Sequence, residues 1–414
     1  MEVKYERCCG GDVHKKSVSA CVIVPRADWQ PVKETRRFDT MTEDLEALSR
    51  WLSERGVTHV AMESTGVYWK PVYNLLDGRF EVLVVNPEHV KALSGRKTDA
   101  ADAEWIADLL RHGLLKGSFI PLELLRELRD LTRYRTKLGD ERKSEVNRLQ
   151  KVLEDANIKL SSVATDVMGV SGRAILNELV QGNTDPALLA ELAKGRLREK
   201  QDLLEKALQG TLKPDHRFML AQHLSHIDFL DEAIERLDTQ IGEQMRPFEA
   251  AIQRWDSIPG INRRIAEIVA AEVGAEFKAF EDADHLASWV GMCPGNNKSA
   301  GKRFSGKTRK GSKWLRRALI EAAHGAAHTK EKYFQAQYRR LAARRGKQRA
   351  AVAVGHSLLV TGYCLITRHE TYQDLGANYF DERDREAVKR RAVRRLEKLG
   401  FQVQLKPVAA IAVS

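Results

Sequence analysis

The spacing of apolar residues predicts an α/β domain in the first part of the chain. Short apolar or alternating stretches, which are typical of strands, lie at residues 8–12, 17–24, 32–38, 57–62 and 80–85. The helix predicted after the third strand carries Leu45 and Leu48 on one face and ends at Gly56. A capping box formed by Thr40 and Glu43 is expected at its start. A further helix is predicted over residues 98–112.

The remainder of the chain predicts helices. Between residues 122 and 245, leucine and isoleucine recur every three or four positions among charged residues, which indicates long amphipathic helices that pair as a coiled coil. A spacer or dimerisation arm is the simplest role for them. Residues 250–414 indicate a second globular part that is mostly helical. Its apolar run at residues 350–366 is expected to be a buried helix, because it is shorter than a membrane span.

The order of elements suggests a fold for the first domain. Three strands, a helix, a strand, a helix, a strand and a helix follow one another as in a ribonuclease-H-like fold, although other α/β domains share parts of this order. We therefore predict an α/β domain at residues 1–115, a helical coiled-coil domain at residues 116–250 and a mostly helical domain at residues 251–414.

The start of the last domain carries a tight turn between two predicted helices. Residues 258–262 read Ile-Pro-Gly-Ile-Asn and resemble a helix-hairpin-helix, whose turn can direct backbone N–H groups at a phosphate. Asn262 stands where that motif usually has a glycine. A contact with nucleic acid and a plain helical hairpin therefore both remain open.

The net charge of the chain says more about its function than its overall composition does. The 414 residues are 43% hydrophobic and 30% charged, which is ordinary for a globular protein, but the net charge of +11 indicates a polyanionic partner, with nucleic acid as the first candidate. The five cysteines have no C-x-x-C spacing, and the N-terminus has no apolar signal core. Both observations favour reduced thiols and a cytoplasmic protein.

The basic charge is concentrated around one serine. Nine lysines and arginines and no acidic residue lie between His285 and Ile320. Ser299 lies among small residues in this window, so it can be a nucleophile rather than only a phosphate contact. The residues predicted to bind nucleic acid are Lys298, Lys302, Arg303, Lys307, Arg309, Lys310 and Lys313.

Four acidic residues in the first domain lie where strands end or a helix starts. Asp12 closes the first predicted strand and Glu63 follows the fourth, while Asp99 and Asp102 share one face of the last helix of the domain. Clustered carboxylates repel one another unless a cation is present, and hard oxygen ligands select Mg²⁺ or Mn²⁺. Each acid could also be a turn or helix-cap residue, so spacing alone leaves both interpretations open.

These motifs together resemble a known family. They are Gly-Asp-Val-His-Lys-Lys at residues 11–16, Glu-Ser-Thr-Gly at 63–66, Lys-Thr-Asp-Ala-Ala-Asp-Ala at 97–103, the hairpin at 255–266, Cys-Pro-Gly-Asn-Asn-Lys-Ser-Ala-Gly at 293–301 and Lys-Gly-Ser-Lys-Trp-Leu-Arg at 310–316. In this order the chain resembles, nearly end to end, the DEDD transposases of insertion sequence 110, which are bridge-RNA-guided recombinases.

The resemblance implies an RuvC-like domain, a coiled-coil arm and a C-terminal transposase domain. It assigns Asp12, Glu63, Asp99 and Asp102 to metal binding and catalysis, and it assigns Ser299 as the nucleophile that becomes joined to a DNA end. It also implies that a structured non-coding guide RNA pairs with donor and target DNA, and that the protein assembles as dimers or tetramers.

Two positions depart from the family pattern. The family often has Ser-Gly where this chain has Ser299-Ala-Gly, and Ser305-Gly offers a rival alignment. We prefer Ser299, since its distance from the Lys310-Gly pair fits the pattern better. Ser312 also stands where the family usually has asparagine.

The resulting hypothesis is RNA-guided DNA recombination through a covalent phosphoserine. Ser299 has no obvious His-Asp partner, so activation by metal at the distant carboxylates would require the two domains to meet. Two alternatives remain open: an RuvC-like metal-dependent structure-specific nuclease that uses water, and a non-catalytic nucleic-acid-binding regulator.

Overall fold

The computed structural model describes residues 2–26, 31–64, 66–87, 90, 101–295, 297–299 and 302–406, with residues 101, 297–299 and 302–305 described by their backbone alone. The chain divides into two compact units, Met1–Ile120 and Pro121–Ser414. We call them unit 1 and unit 2. The finer division of the second unit into an arm and a C-terminal domain stays a prediction.

Unit 1 contains a mixed five-stranded sheet with helices on its faces. Its strands lie in the order β3-β2-β1-β4-β5, in which β2 runs antiparallel to its neighbours and the pairs β1–β4 and β4–β5 are parallel. The elements are β1 (Cys8–Val13), β2 (Ser17–Val24), β3 (Val32–Asp39), α1 (Thr42–Glu54), β4 (His59–Glu63), α2 (Trp69–Leu76), β5 (Glu81–Val85) and α3 (Ala101–Arg111). The five predicted strands are confirmed, as is the α/β character of this part.

Alternation along β1 divides the core of unit 1 into two layers. Cys9 and Val13 face the layer that contains α1 and α2, while Cys8 packs with Ala107 and Leu110 of α3 on the other side. Every second residue of the strand therefore faces α3. Since Cys8 is in this set, Gly10 and Asp12 belong to it too.

Gly10 allows α3 to lie directly on β1. A Cβ atom at this position would stand 2.2 Å from the Ala103 carbonyl oxygen and 2.3 Å from the Ala107 backbone nitrogen, far inside contact distance. At the far end of the helix, the Lys4 and Tyr5 amides donate to the Arg111 carbonyl at 2.9 and 3.1 Å. The helix thus runs antiparallel to β1 and starts near the end of the strand that carries Asp12.

The capping box predicted for α1 is wrong. The N-cap residue is Met41, and no side chain caps the helix. The Thr40 hydroxyl instead donates to the Lys15 carbonyl at 3.1 Å, which connects this corner to the β1–β2 turn. A tertiary hydrogen bond has displaced the local one.

Where the structure describes it, unit 2 is helical apart from one short hairpin. The two longest helices, α4 and α9, pack along each other through Leu138, Leu230 and Ile234. The elements are α4 (Glu123–Asp155), α5 (Leu160–Val163), α6 (Val170–Gln181), α7 (Pro186–Glu191), α8 (Gln201–Ala207), α9 (Pro214–Met245), α10 (Glu249–Asp256), α11 (Arg263–Val273), α12 (Ala283–Val290), β6 (Asn297–Ser299), β7 (Lys302–Ser305), α13 (Lys313–His328), α14 (Tyr333–Arg345), α15 (Lys347–Arg368), α16 (Tyr379–Arg383) and α17 (Arg385–Lys398). Turns of 3₁₀ helix occupy Gly195–Lys200 and Arg246–Phe248.

The apolar run of the last domain forms α15. Over the described part of the chain, α15 is the one helix that is long and apolar enough to cross a membrane, and half of that apolar stretch is buried inside the protein. It packs against α13 and α14, and Gly362 lies so close to Trp255 that a Cβ atom would come within 2.0 Å of the indole. Burial among helices accounts for its apolar composition, as predicted.

Candidate functional site

Asp12 and Glu63 lie on neighbouring strands at the same edge of the sheet. β1 and β4 are parallel, and their register pairs Gly11 with Met62, so that Asp12 and Glu63 follow at the next position on each strand. Neighbouring strands lie about 4.8 Å apart, and residues level with each other point to the same face. The strand register thus places these two residues on adjacent strands at one edge of the sheet.

Asp102 lies near the same edge of the sheet. It lies in the first turn of α3, one residue before Ala103, whose carbonyl lies over Gly10. Because α3 starts at the Asp12 end of β1, Asp102 is placed near that end and on the face to which Asp12 belongs. Asp99 lies outside the described residues.

Asp12, Glu63 and Asp102 provide hard oxygen donors at this edge of the sheet, but they do not form a tight cluster. Asp12 has 19% of its side chain exposed and contacts the His14 ring, with Nε2 3.0 Å from Oδ2. Over the described residues, no group of three or more His, Cys, Asp or Glu side chains converges tightly enough to hold a metal ion. The carboxylates that are described suit Mg²⁺ or Mn²⁺ in donor chemistry.

Ser299 lies in a two-stranded hairpin, which we call the serine hairpin (the described residues between Pro294 and Thr308). β6 and β7 are antiparallel, with Ser299 paired to Lys302 and Asn297 paired to Ser305. Ser299 is therefore the last residue of β6, at the closed end of the hairpin, whereas Ser305 lies toward its base. Lys298, Lys302 and Arg303 are on the same two strands, where only the backbone is described.

The base of the serine hairpin is fixed to the helical core. The Gly295 amide donates to the Lys307 carbonyl at 2.9 Å, and Pro294 forms a β-bridge with Thr308. Arg316 of α13 donates to the Thr308 hydroxyl at 2.8 Å and also to the Gly291 carbonyl. These contacts hold both ends of the hairpin against α12 and α13.

The basic residues near the hairpin divide into two groups. Lys307, Arg309, Lys310 and Lys313 have exposed side chains, which a phosphate backbone could reach. Two arginines of the basic window have structural roles: Arg316 holds the hairpin base, and Arg317, which is half-exposed, pairs with Asp140 of α4. Sequence alone did not distinguish these groups.

The helix-hairpin-helix-like segment forms two helices, α10 and α11, with a packed turn. A Cβ atom on Gly260 would stand 2.4 Å from the Ala322 carbonyl oxygen of α13, and the Asn262 side chain caps α11 by accepting from the Ile265 amide at 3.0 Å. Arg263, at the start of α11, forms a two-bond ion pair with Glu249. These contacts fix the shape of the hairpin, and contact with nucleic acid stays a prediction.

Comparison with known proteins identifies the class. An α/β unit with carboxylates on adjacent strand ends, followed by a helical unit with a basic serine hairpin, is the arrangement expected of a DEDD transposase. A DEDD transposase model described as "Transposase" matches residues 9–158, and a model described as "Transposase IS116/IS110/IS902 family" matches residues 253–339. Together they cover more than half of the chain. The protein belongs to the IS110 family of insertion-sequence transposases.

Individual relatives agree with this assignment. The chain is 25% identical to the transposase for insertion sequence element IS1111A of Coxiella burnetii over 295 residues, which is 70% of this chain and 72% of the relative. It is also 25% identical to a probable family 20 transposase of Pseudomonas aeruginosa over 323 residues, 76% of this chain and 85% of that one. Family membership implies DNA substrates and activity in DNA transposition.

Proposed function

We propose that this transposase cuts and rejoins donor and target DNA through a covalent bond between Ser299 and a DNA strand end. Asp12, Glu63, Asp99 and Asp102 would hold Mg²⁺ or Mn²⁺, and a structured guide RNA would select both DNAs. The observation that carries the proposal is the shared strand edge of Asp12 and Glu63, combined with a serine at the closed end of a basic hairpin.

The topology of unit 1 supports an RuvC-like fold. The order β3-β2-β1-β4-β5, with β2 as the strand that runs against the others, agrees with the ribonuclease-H-like element order predicted from the sequence. In such a sheet the central strands β1 and β4 are neighbours, so residues at their carboxyl ends share one edge. Asp12 and Glu63 occupy these positions.

The donor set fits a divalent cation. Carboxylate oxygens are the ligands that Mg²⁺ and Mn²⁺ take in proteins, and like charges on adjacent strands favour a cation between them. A metal bound there would supply charge stabilisation at phosphorus. The protein's own contribution is to hold Asp12 and Glu63 in register and to seat the start of α3 beside them through Gly10.

The covalent step is an exchange of one phosphodiester for another. The Ser299 Oγ atom attacks phosphorus and loses its proton to solvent, while the bond between phosphorus and one DNA oxygen breaks and that oxygen takes up a proton. The number of phosphoester bonds is unchanged, so a DNA hydroxyl can reverse the step on the other DNA without ATP. Exposed cations such as Lys307, Lys310 and Lys313 would bind the phosphate and offset its developing charge.

Assembly would complete the active site. Asp12 and Ser299 belong to different units of the chain, so the proposed chemistry needs residues of both units, from one subunit or from two. A homo-oligomer, dimer or tetramer, would make cutting depend on assembly on both DNAs. The paired helices α4 and α9 would form the arm of that assembly.

A recombination assay with matched variants tests the proposal. The reaction contains the full-length protein, a plasmid with the gene's own flanking DNA, and RNA transcribed from that flanking segment, with or without Mg²⁺. We expect recombinant DNA only with RNA and Mg²⁺, no product from Asp12→Asn, and no covalent protein–DNA species from Ser299→Ala. Ser305→Ala is the control and should keep activity.

The same assay separates the alternatives. Cleaved DNA without a covalent protein adduct, and with Ser299→Ala fully active, would indicate a nuclease that uses water. Binding that is independent of Mg²⁺, with no strand exchange under any condition, would indicate a regulator. Either result would overturn the proposal.

A further inference from the structure

Glu272 is a carboxylate buried in the helical core of unit 2. It lies near the end of α11 with a fully buried side chain. Arg133 of α4 donates to both of its oxygens, from Nε to Oε1 at 2.7 Å and from Nη2 to Oε2 at 2.9 Å. A two-bond ion pair of this kind, between a buried carboxylate and a partly exposed arginine, fixes the relative orientation of the two side chains, and so of the helices that carry them.

A second arginine of α4 holds the same turn of α11. Arg129 lies one helical turn before Arg133, and its Nε donates to the Ala271 carbonyl at 3.1 Å. Its Nη2 donates to the Glu272 carbonyl. The long helix α4 is therefore attached to the end of α11 by both backbone and side chain, and Glu272 lies at the centre of this attachment.

Glu272 also contacts the segment that leaves the serine hairpin. The Ser312 hydroxyl donates to Glu272 Oε2 at 3.2 Å. The Ser312 hydroxyl oxygen in turn accepts from the Leu315 amide at 3.3 Å, so Ser312 is the N-cap of α13. The preceding residue, Gly311, lies so close to α12 that a Cβ atom would stand 2.3 Å from the Val290 carbonyl carbon. The exit of the hairpin is thus held from two sides.

We propose that Glu272 is a positioning residue that couples α4 to the serine hairpin through Ser312. The proposal rests on the proposed role of Ser299 as the nucleophile. A movement of α4 would shift Arg133 and, with it, the Glu272 carboxylate. The carboxylate would then displace Ser312 at the N-cap of α13. Ser312 is connected along the chain to β7, which pairs with the strand that carries Ser299. The Ser312 hydroxyl makes this coupling possible, because it caps α13 and also donates to the buried Glu272 carboxylate.

The chemistry of the cap provides the test. Alanine at 312 removes both hydrogen bonds, whereas asparagine can cap a helix with its amide oxygen and donate to Glu272 with its amide nitrogen. The variants are therefore Ser312→Ala and Ser312→Asn. Asp185→Ala removes the N-cap of α7, and Asp140→Asn weakens the exposed pair between α4 and α13, so these two control for general loss of a cap or of a surface link.

Two measurements are made on the full chain. The first is the single-turnover rate of covalent adduct formation with the plasmid and flanking transcript, together with DNA affinity. We expect Ser312→Ala to lower the rate roughly 10-fold at unchanged affinity, because small displacements of a nucleophile reduce rates strongly. Ser312→Asn and both controls should stay within about 2-fold of wild type.

The second measurement does not depend on catalysis. Hydrogen exchange at the Gly295 amide reports on whether the base of the serine hairpin stays paired, because that amide donates a hydrogen bond to the Lys307 carbonyl. Exchange should accelerate in Ser312→Ala and return to the wild-type rate in Ser312→Asn. If the wild-type protein forms no adduct, the proposed function is wrong. The exchange rates of the two Ser312 variants then still test whether Glu272 and Ser312 couple α4 to the serine hairpin. The inference would be overturned if the Gly295 amide exchanged at the wild-type rate in Ser312→Ala. It would also be overturned if exchange were as fast in Ser312→Asn as in Ser312→Ala.

Discussion

Replacing Gly10 with alanine tests how unit 1 positions its carboxylates. The added Cβ would stand 2.2 Å from the Ala103 carbonyl oxygen, 2.3 Å from the Ala107 nitrogen and 2.9 Å from the Ala107 Cα atom. All three are backbone atoms of α3, so no side chain can rotate away. The helix must therefore move from the sheet by about 1 Å, and Asp102 at its start moves with it.

The size of the effect follows from overpacking. Forcing an extra methyl into a close-packed contact costs about 1–3 kcal/mol, and in a unit of this size each kcal/mol lowers the midpoint of thermal unfolding by roughly 3–6 °C. The displacement should also affect catalysis, because a misplacement of about 1 Å can lower a rate about 100-fold. We expect both effects in Gly10→Ala.

The adjacent glycine is the matched control. A Cβ atom on Gly11 would meet the Ala61 carbonyl oxygen and the Met62 Cβ atom at 3.6 Å, which is ordinary contact. Gly11→Ala should therefore unfold at or slightly above the wild-type temperature, as measured by differential scanning calorimetry, and should keep its rate of covalent adduct formation. If Gly10→Ala behaved like Gly11→Ala in both assays, the reasoning about α3 would be refuted.

Three further predictions concern buried polar groups. Arg135→Met removes the buried arginine that donates to Glu267 at 2.7 Å and leaves that carboxylate with its half-exposed partner Arg263, so the free energy of unfolding in urea should fall by about 3 kcal/mol. Burial raises the pKa of the Cys8 thiol to about 12, so native protein at pH 8 should react with iodoacetamide at the partly exposed Cys364 but not at Cys8. Burial acts to raise the pKa of Glu145, but hydrogen bonds from His223 and Arg148 outweigh it and lower that pKa, so stability from Glu145 should be lost as the pH falls through the lowered value.

Each of these has a control that could contradict it. Arg142→Met removes an ion pair with Asp231 that is partly exposed, and should cost about 0–1 kcal/mol. Equal costs for Arg135→Met and Arg142→Met would refute the role of burial. Labelling of Cys8 in folded protein would contradict its protection. An acid-unfolding curve that is the same in Glu145→Gln as in wild type would refute the contribution of that carboxylate.

Much of unit 1 could be predicted because its signals are local. The run from Ser17 to Val24 alternates between serine and apolar residues at its start and ends in three β-branched residues, and it forms a strand with those bounds. The shared sheet edge of Asp12 and Glu63 could also be predicted, since both lie at the ends of buried strands and parallel strands end at the same edge. The capping box at Thr40 failed because a carbonyl distant in sequence competed for the same hydroxyl.

The remaining features depend on contacts between distant residues. Nothing local indicates that Gly10 touches a helix more than 90 residues later, although the glycine pair before Asp12 is a signal that something approaches the strand closely. Glu272 lies in an amphipathic helix where sequence suggests an exposed acid. Its burial depends on two arginines of α4 and on Ser312, which only the tertiary structure brings together.

The chemical identity of the covalent adduct tests the central claim most directly. Wild-type protein is reacted with the plasmid and flanking transcript in Mg²⁺, the DNA is digested to nucleotides, and the modified peptide is sequenced by mass spectrometry. We predict a nucleotide joined through phosphate to the Ser299 hydroxyl. A nucleotide on Ser305 or on any other residue, or cleaved DNA with no modified peptide, would contradict the account.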